Sequence, residues 1–319
     1  MEYQRLGHSG LKVARICLGT MQFGWSADEK ASFQVMDAYF DAGGNFLDTA
    51  DIYSAWVPGN KGGESEEIIG RWLKKRKNRH LCVVATKFNG RMWEGPNGDG
   101  LSRGHQVKAV DDSLKRLDTD YVDLYQTHWP HEDTPQEETL RALDDLIRAG
   151  KIRYIGFSNE PAWRIVKALW ISDRYNLNRF ISSQPAYSLV KRAEFEREQE
   201  AACLDMGIGV IPYSPLQGGF LTGKYRRDQV PESVRAGGLQ KFFTERNFQL
   251  IDILDERGKT HNATVAQMAL AWLLQRPAIT SPIIGANSVE QFHDILGCLE
   301  VQLTAEDVQA IDTASDWRG

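Results

Sequence analysis

"IPYSPLQGGFLTGKY", residues 211–225, decides the fold. Gly218, Gly223 and Lys224 come within one residue of GxxxxGK[ST], the loop that wraps triphosphates. That loop needs a helix starting at its Lys and a Ser or Thr for Mg²⁺. Tyr225 and Arg226-Arg227 supply neither, so the triphosphate reading fails. The apolar run before it, "IGVIPYS" (208–214), belongs instead to a series of eight: "RICLGT" (15–20), "NFLDT" (45–49), "LCVVATK" (81–87), "YVDLYQTH" (121–128), "IRYIGFS" (152–158), "RFISSQ" (179–184), 208–214 itself and "SPIIGA" (281–286). Segments of helical spacing accompany them at 28–42, 64–76, 104–117, 136–149, 161–174, 193–206, 264–275 and 288–297. Eight strand-helix pairs without a linker or composition break predict an α/β fold: a (β/α)8 TIM barrel forming one domain over 1–319. The irregular piece at about 215–243 is then a long loop after strand seven, and long loops in compact domains are usually functional.

Local chemistry marks the ends of these elements. Ala-Gly at 42–43 and 149–150 suits C-terminal caps, Asp28 an N-cap, and Pro161 a first helical turn. "YQRLGHSGLKV" (3–13) predicts an N-terminal β-hairpin. "LTAEDVQAIDTA" (303–314), with its Thr304–Asp307 capping pattern, predicts an extra C-terminal helix.

The bulk composition excludes several classes. With 42% hydrophobic and 25% charged residues and a net charge of −5, the chain has the makeup of a soluble globular protein without a basic field for nucleic acid. "KKRK" (74–77) reads as the solvated last turn of a helix. The start lacks the pattern of a secretory signal, and no apolar stretch reaches the roughly 18 residues a membrane span requires. Cys17, Cys82, Cys203 and Cys298 are scattered, the pattern of reduced thiols in a cytoplasmic protein.

In a barrel of this kind, chemistry gathers at the C-terminal ends of the strands. Those ends carry Asp48, with Tyr53 in the adjoining loop, Lys87, His128, Ser158-Asn159, Gln184, Tyr213-Ser214 and Gly285. The first four make sense as a proton donor. A free phenol, with a pKa near 10, parts with its proton reluctantly at neutral pH. A neighbouring ammonium favours the phenolate, a carboxylate holds the ammonium, and a histidine orients or relays. "HWPHED" also offers His128, His131, Glu132 and Asp133 as metal ligands. Pro130 forces an extended turn there, however, and no second His or Cys cluster completes a site, so no metal is expected. No GxSxG elbow supports acyl transfer.

"GGNFLDTADIYS", "VVATK", "QTHWP", "YIGFSN", "SQPAYSLV", "IPYSPLQGGFLTGKY" and "PIIGANSVEQ", in that order, resemble the aldo-keto reductase superfamily. More narrowly, they resemble its long-loop branch, which includes bacterial general oxidoreductases and potassium-channel β subunits. The resemblance runs from about residue 3 to residue 315. It implies Tyr53 as general acid in carbonyl reduction and base in alcohol oxidation, Lys87 paired with Asp48 to lower the phenol's pKa, and His128 on the carbonyl oxygen. It implies an NADP(H) cofactor, with NAD(H) possible. Tyr213 would stack on the nicotinamide, Ser158, Asn159 and Gln184 would bind its carboxamide, and Gly19, Thr20 and Met21 would line the first strand end beside Asp48. The loop Ser214, Pro215, Leu216, Gly218 to Lys224 would fold over the pyrophosphate, and Gly285, Ala286, Ser288 and Gln291 would meet the adenosine end. No cation stands in 285–291, with Arg235 a compensating candidate, and Ile295 replaces an Asn common in relatives. On the substrate side stand Tyr53, His128 and Trp129, then Trp93 in a loop expected to move, and Tyr187. Trp25 and Trp56 are substrate-side candidates too, with ordinary packing beneath loops as their favoured reading. The partner implied is a small aldehyde, ketone or alcohol. The alternatives are a cofactor-holding regulatory subunit and a phosphosugar isomerase or lyase with a Lys87 Schiff base. No motif encodes the oligomeric state, the natural substrate or the direction of flux.

Overall fold

The computed structural model describes residues 1–227 and 236–318, so Arg235 lies outside the described residues. In chain order the elements are β1 (Tyr3–Arg5), β2 (Lys12–Ala14), β3 (Cys17–Gly19), α1 (Glu29–Asp41), β4 (Phe46–Asp48), α2 (Glu64–Arg76), β5 (Val83–Phe88), α3 (Arg103–Arg116), β6 (Val122–Thr127), α4 (Gln136–Arg148), β7 (Ile152–Ser158), α5 (Ala162–Tyr175), β8 (Phe180–Gln184), α6 (Ala193–Glu196), α7 (Gln199–Met206), β9 (Gly209–Val210), α8 (Ala236–Leu239), α9 (Glu245–His261), α10 (Val265–Leu274), β10 (Ile283–Ile284), α11 (Val289–Leu296) and α12 (Ala305–Ala314). β1 and β2 pair antiparallel, as the hairpin reading predicts.

The other eight strands form one parallel sheet, in the order β10-β3-β4-β5-β6-β7-β8-β9. The sheet closes on itself. Ile283 N–H donates to Pro212 O at 2.9 Å and Thr280 N–H to Val210 O at 2.8 Å, while Ile283 is also in register with Cys17 of β3. The last strand therefore bonds both the first and the seventh, and the (β/α)8 barrel has no open edge.

Side chains alternate across each strand, and that alternation builds two cores. Phe46, Val83, Ala85, Leu124, Ile211 and Ile283 point into the barrel and meet Leu6 and Val13 of the hairpin, which plugs the N-terminal end. Their strand neighbours, among them Leu47, Val84 and Tyr125, belong to the larger layer beneath the helices. Two residues beyond the inner apolar layer, the same inward register brings up Asp48, Lys87 and Gln126. Gly156 makes room there, since a Cβ on it would lie 2.3 Å from Ser182 Oγ.

The caps follow the expected chemistry. Asp28 accepts from Ala31 N–H, and Thr304 and Asp307 form a reciprocal capping box. Two expectations are corrected, and one helix is new. Pro161 is the N-cap of α5 and has an extended backbone (ψ 155°), so the helix begins one residue later. The helix expected over 193–206 is two, broken between Glu196 and Gln199. A 17-residue helix, α9, fills 245–261 after the long loop; its Thr244 cap accepts from Asn247 N–H. No helix among the described residues is long and apolar enough to cross a membrane.

Candidate active site

The inward register of β4, β5, β6 and β8 converges on one buried polar cluster. Lys87 Nζ donates to Asp48 Oδ2 at 2.6 Å, to Thr49 O at 2.8 Å and to Tyr53 Oη at 3.0 Å. An ammonium has three N–H donors, and here all three are engaged. Asp48 Oδ1 is held from the other side by Gln184 Nε2 at 2.8 Å and Gln126 Nε2 at 3.1 Å. The pair is fully enclosed, with side-chain exposures of 0% for Lys87 and 2% for Asp48. Burial alone would lower the Lys87 pKa; Asp48, Tyr53 and their hydrogen bonds outweigh it and hold the ammonium above its ordinary range.

This geometry fixes where the phenol's proton goes. Tyr53 Oη accepts from Lys87, so its own O–H is left to point elsewhere. Lys87 does act to lower the Tyr53 pKa, as expected, but it does not prevail. Burial is the largest influence and raises it, Lys87 opposes that rise, and Asp48 adds to it, for a net upward shift. The phenol therefore stays protonated at neutral pH, the form a proton donor needs. His128 stands beside it, with ring centroids 6.0 Å apart and planes at 70°. Burial, and secondarily Lys87, push the imidazole pKa well below 6.5, so the ring is neutral. Its Nδ1 is buried without a hydrogen-bond partner among the described residues.

The residues expected around a cofactor form a second network along the same rim. Ser158 Oγ donates to Gln184 O at 2.7 Å. Asn159, in a left-handed conformation at φ 60°, donates through Nδ2 to His128 O and accepts from Tyr213 Oη, both at 3.0 Å. Thr20 Oγ1 donates to Asp48 O, while Met21 is half-buried nearby in the chain. Ser214, Gln217, Gly218, Gly219 and Gly223 all have positive φ, so the segment from Ser214 through Pro215 and Leu216 to Lys224 coils tightly. Lys224 is exposed and makes no ion pair among the described residues; a Cβ on Gly219 would sit 3.6 Å from its Nζ. Past β10, Gly285 is exposed and Ala286 is buried with its carbonyl bonded to Gln22. Ser288 caps α11 by accepting from Gln291 N–H, and Gln291 Oε1 accepts from Asn287 N–H at 2.9 Å. Ile295 packs into the main core.

The sequence profile of the aldo/keto reductase family matches residues 15–316. This chain belongs to the aldo/keto reductase family. Among its relatives, the uncharacterized oxidoreductase YrpG of Bacillus subtilis is 38% identical over 96% of this chain and 93% of its own length. Versiconal hemiacetal acetate reductase of Aspergillus parasiticus is 36% identical over 98% of this chain and 96% of its own. A probable voltage-gated potassium channel subunit beta of Arabidopsis thaliana is 35% identical over 94% and 92%. The aldo/keto reductase is thus an oxidoreductase with relatives on both sides of the enzyme and channel-subunit divide.

Several aromatic residues of this aldo/keto reductase differ from expectation. Tyr187 is buried and donates to Glu196 at 2.7 Å. Trp93 stacks on His105 at 4.7 Å, and in its loop Arg91 donates to Asp99 and to Gly95 O. Trp129 is 36% exposed and lies 4.5 Å from the His128 ring. Trp56, read as packing, is 47% exposed. Two buried groups went unnoticed in the sequence. Gln126 supports Asp48, and the period-two pattern of "VDLYQTH" contains it. Asp51 has both carboxylate oxygens buried without an ion-pair or side-chain hydrogen-bond partner among the described residues. Burial, then the neighbouring Glu66, push its carboxyl pKa well above the ordinary value. Glu66 itself is satisfied by Arg116 at 2.7 Å and Thr86 at 2.5 Å.

Proposed function

We propose that this chain is an NAD(P)(H)-dependent reductase of aldehydes or ketones, also competent in the reverse direction, with Tyr53 as general acid and base. The observation that carries this reading is the Lys87–Tyr53 bond: a permanently charged ammonium donates to the phenol oxygen and leaves the phenol hydrogen for a substrate carbonyl. As negative charge grows on that oxygen, Tyr53 gives up its proton and Lys87 stabilises the phenolate left behind. Asp48, itself held by Gln126 and Gln184, keeps the ammonium in place. His128, neutral and adjacent, offers a ring nitrogen to the carbonyl oxygen without competing as an acid. Trp129 walls the substrate side.

The residues present fit a nicotinamide dinucleotide. The exposed Lys224, which makes no ion pair among the described residues, lies beside a run of positive-φ backbone and suits a pyrophosphate. Ser158, Asn159, Gln184 and Tyr213 would hold the nicotinamide end, with Gly19, Thr20, Met21 and Asp48 beside it. Ser214, Pro215, Leu216 and Gly218 would cover the phosphates, and Gly285, Ala286, Ser288 and Gln291 the adenosine end. When bound, the dinucleotide supplies the hydride. NADP(H) is the cofactor proposed on the family's habit, with NAD(H) the alternative that the cation-free run at 285–291 keeps open.

The test is a single turnover of purified protein with each reduced cofactor and a model aldehyde. Loss of reduced-nicotinamide absorbance at a rate that saturates with aldehyde supports the proposal. Tight cofactor binding without any oxidation across a carbonyl panel would replace it with a regulatory, cofactor-holding role.

A further inference from the structure

Five rings run in sequence across this rim. Trp25 meets Trp56 edge-on at 5.6 Å, and Trp56 meets Tyr53 at 6.3 Å. Tyr53 meets His128 at 6.0 Å, and His128 meets Trp129 at 4.5 Å. The proton donor sits in the middle. On either side of it, Trp56 and Trp129 are exposed to solvent, at 47% and 36%.

Trp56 is not exposed because its loop is slack. The segment after Tyr53 is a chain of tight turns, with Ala55 N–H donating to Ile52 O, Val57 N–H to Ser54 O and Asn60 N–H to Val57 O. Two side chains then fasten it to the loop that carries Trp25. Ser54 Oγ donates to Phe23 O at 2.8 Å, and Asn60 Nδ2 donates at 3.1 Å to Gly24 O and also to Ser54 O. Ser54 takes a left-handed backbone, φ 71°, to make this contact. The perpendicular Trp25 leaves the Trp56 indole little freedom to fold down. A large apolar ring held open to water by a cross-braced loop is a prepared contact face.

Resting on the reductase reading above, we infer that Trp56 is a specificity-determining residue. With Trp129 opposite, it forms a slot for flat aromatic carbonyl compounds, and Trp25, through the Ser54 and Asn60 bonds, is its positioning support. Flat π-faces gain contact with both indoles while their carbonyl reaches Tyr53; short aliphatic aldehydes reach Tyr53 but touch neither wall.

The experiment compares 2-naphthaldehyde with propanal on wild type, Trp56→Ala, Trp56→Phe and Asn60→Ala. Trp56→Ala should lower kcat/KM for 2-naphthaldehyde by about 10- to 100-fold, mainly through KM, and change propanal by less than about threefold. Trp56→Phe should restore most of the loss, and Asn60→Ala should fall between. Equal losses on both aldehydes, or no loss on either, would overturn the inference. A second measurement is independent of turnover: 2-naphthoic acid titrated into the cofactor-loaded protein, followed by calorimetry, should bind at least about tenfold more weakly to Trp56→Ala. If Trp56→Ala bound it as tightly as wild type, the slot would be refuted even for an active reductase. If no carbonyl were turned over yet binding still depended on Trp56, the slot would stand and the reductase reading would fall.

Discussion

Replacing Lys87 by Met removes the charge while keeping the length of the side chain, and its effects on rate and on stability separate. At 3.0 Å, and with an effective dielectric of about 20, a unit charge stabilises a phenolate on Tyr53 by about 5–6 kcal/mol. If about half of that is expressed when the proton is partly transferred, the barrier rises by about 3 kcal/mol and kcat for reduction drops on the order of 100-fold. Stability suffers for another reason. Asp48 Oδ2 loses its 2.6 Å partner and is left charged in a closed pocket, a change that costs about 3–5 kcal/mol. Adding Asp48→Asn to Lys87→Met removes the stranded charge and should return about half of that stability without returning the rate. The assay is single-turnover oxidation of reduced cofactor for the rate, with urea unfolding of both variants and wild type for the stability. Lys87→Met turning over within about fivefold of wild type, or the double variant regaining activity along with stability, would refute the account of Lys87 as the charge behind Tyr53.

Other expectations follow from the same cluster. Tyr53→Phe should abolish reduction of unactivated aldehydes while cofactor affinity stays within about threefold, since only the proton donor is lost; titration of cofactor fluorescence beside turnover measures both. Lys224→Ala should weaken cofactor binding by about tenfold and reduce its salt dependence, read by fluorescence titration at two ionic strengths. Asp51→Asn should raise the melting temperature. The Asp51 carboxyl has a raised pKa in the folded chain, so as pH climbs above about 4 the unfolded chain releases a proton that the folded one keeps. Wild type therefore loses stability with rising pH over that window, and the advantage of Asp51→Asn should be small near pH 4 and grow toward neutrality in thermal melts. His128 acts in the opposite sense: its depressed pKa means that stability is lost as pH falls below about 6.5, and His128→Gln should flatten that slope by up to one proton.

Much of this was legible before any coordinates, for reasons that individual residues show. The apolar runs "LCVVATK" and "YVDLYQTH" end on Lys87 and His128, which puts both at the C-terminal mouth of a barrel, and the turn signals between runs separate strands from helices. Caps at Asp28 and Thr304 depend on contacts within one turn, so they are visible locally. What stayed hidden depends on long-range packing. α9 has a charged and mixed surface whose apolar stripe, Phe248, Ile251 and Leu254, becomes meaningful only once it lies against the rest of the core. The Tyr53 pKa shift has the opposite sign to the pairwise argument because burial, which no sequence pattern reports, outweighs the neighbouring cation. Trp56 looked like filler because its exposure is set by side-chain bonds to a loop some thirty residues earlier, Ser54 to Phe23 and Asn60 to Gly24.

The seam of the barrel bears on how the chain is made. Asp48, Tyr53, Lys87 and His128 all leave the ribosome within the first half of synthesis, but Cys17 in β3 waits for Ile283, and Gln184 must arrive before Asp48 is fully held. Until then the nascent chain carries an enclosed charge pair with an incomplete floor and two unpaired strand edges. Parallel pairing across such a separation is slow, and bare edges invite association with other chains. Protection during the late stage of translation, rather than any feature of the finished protein, would then govern how much of it reaches the native state.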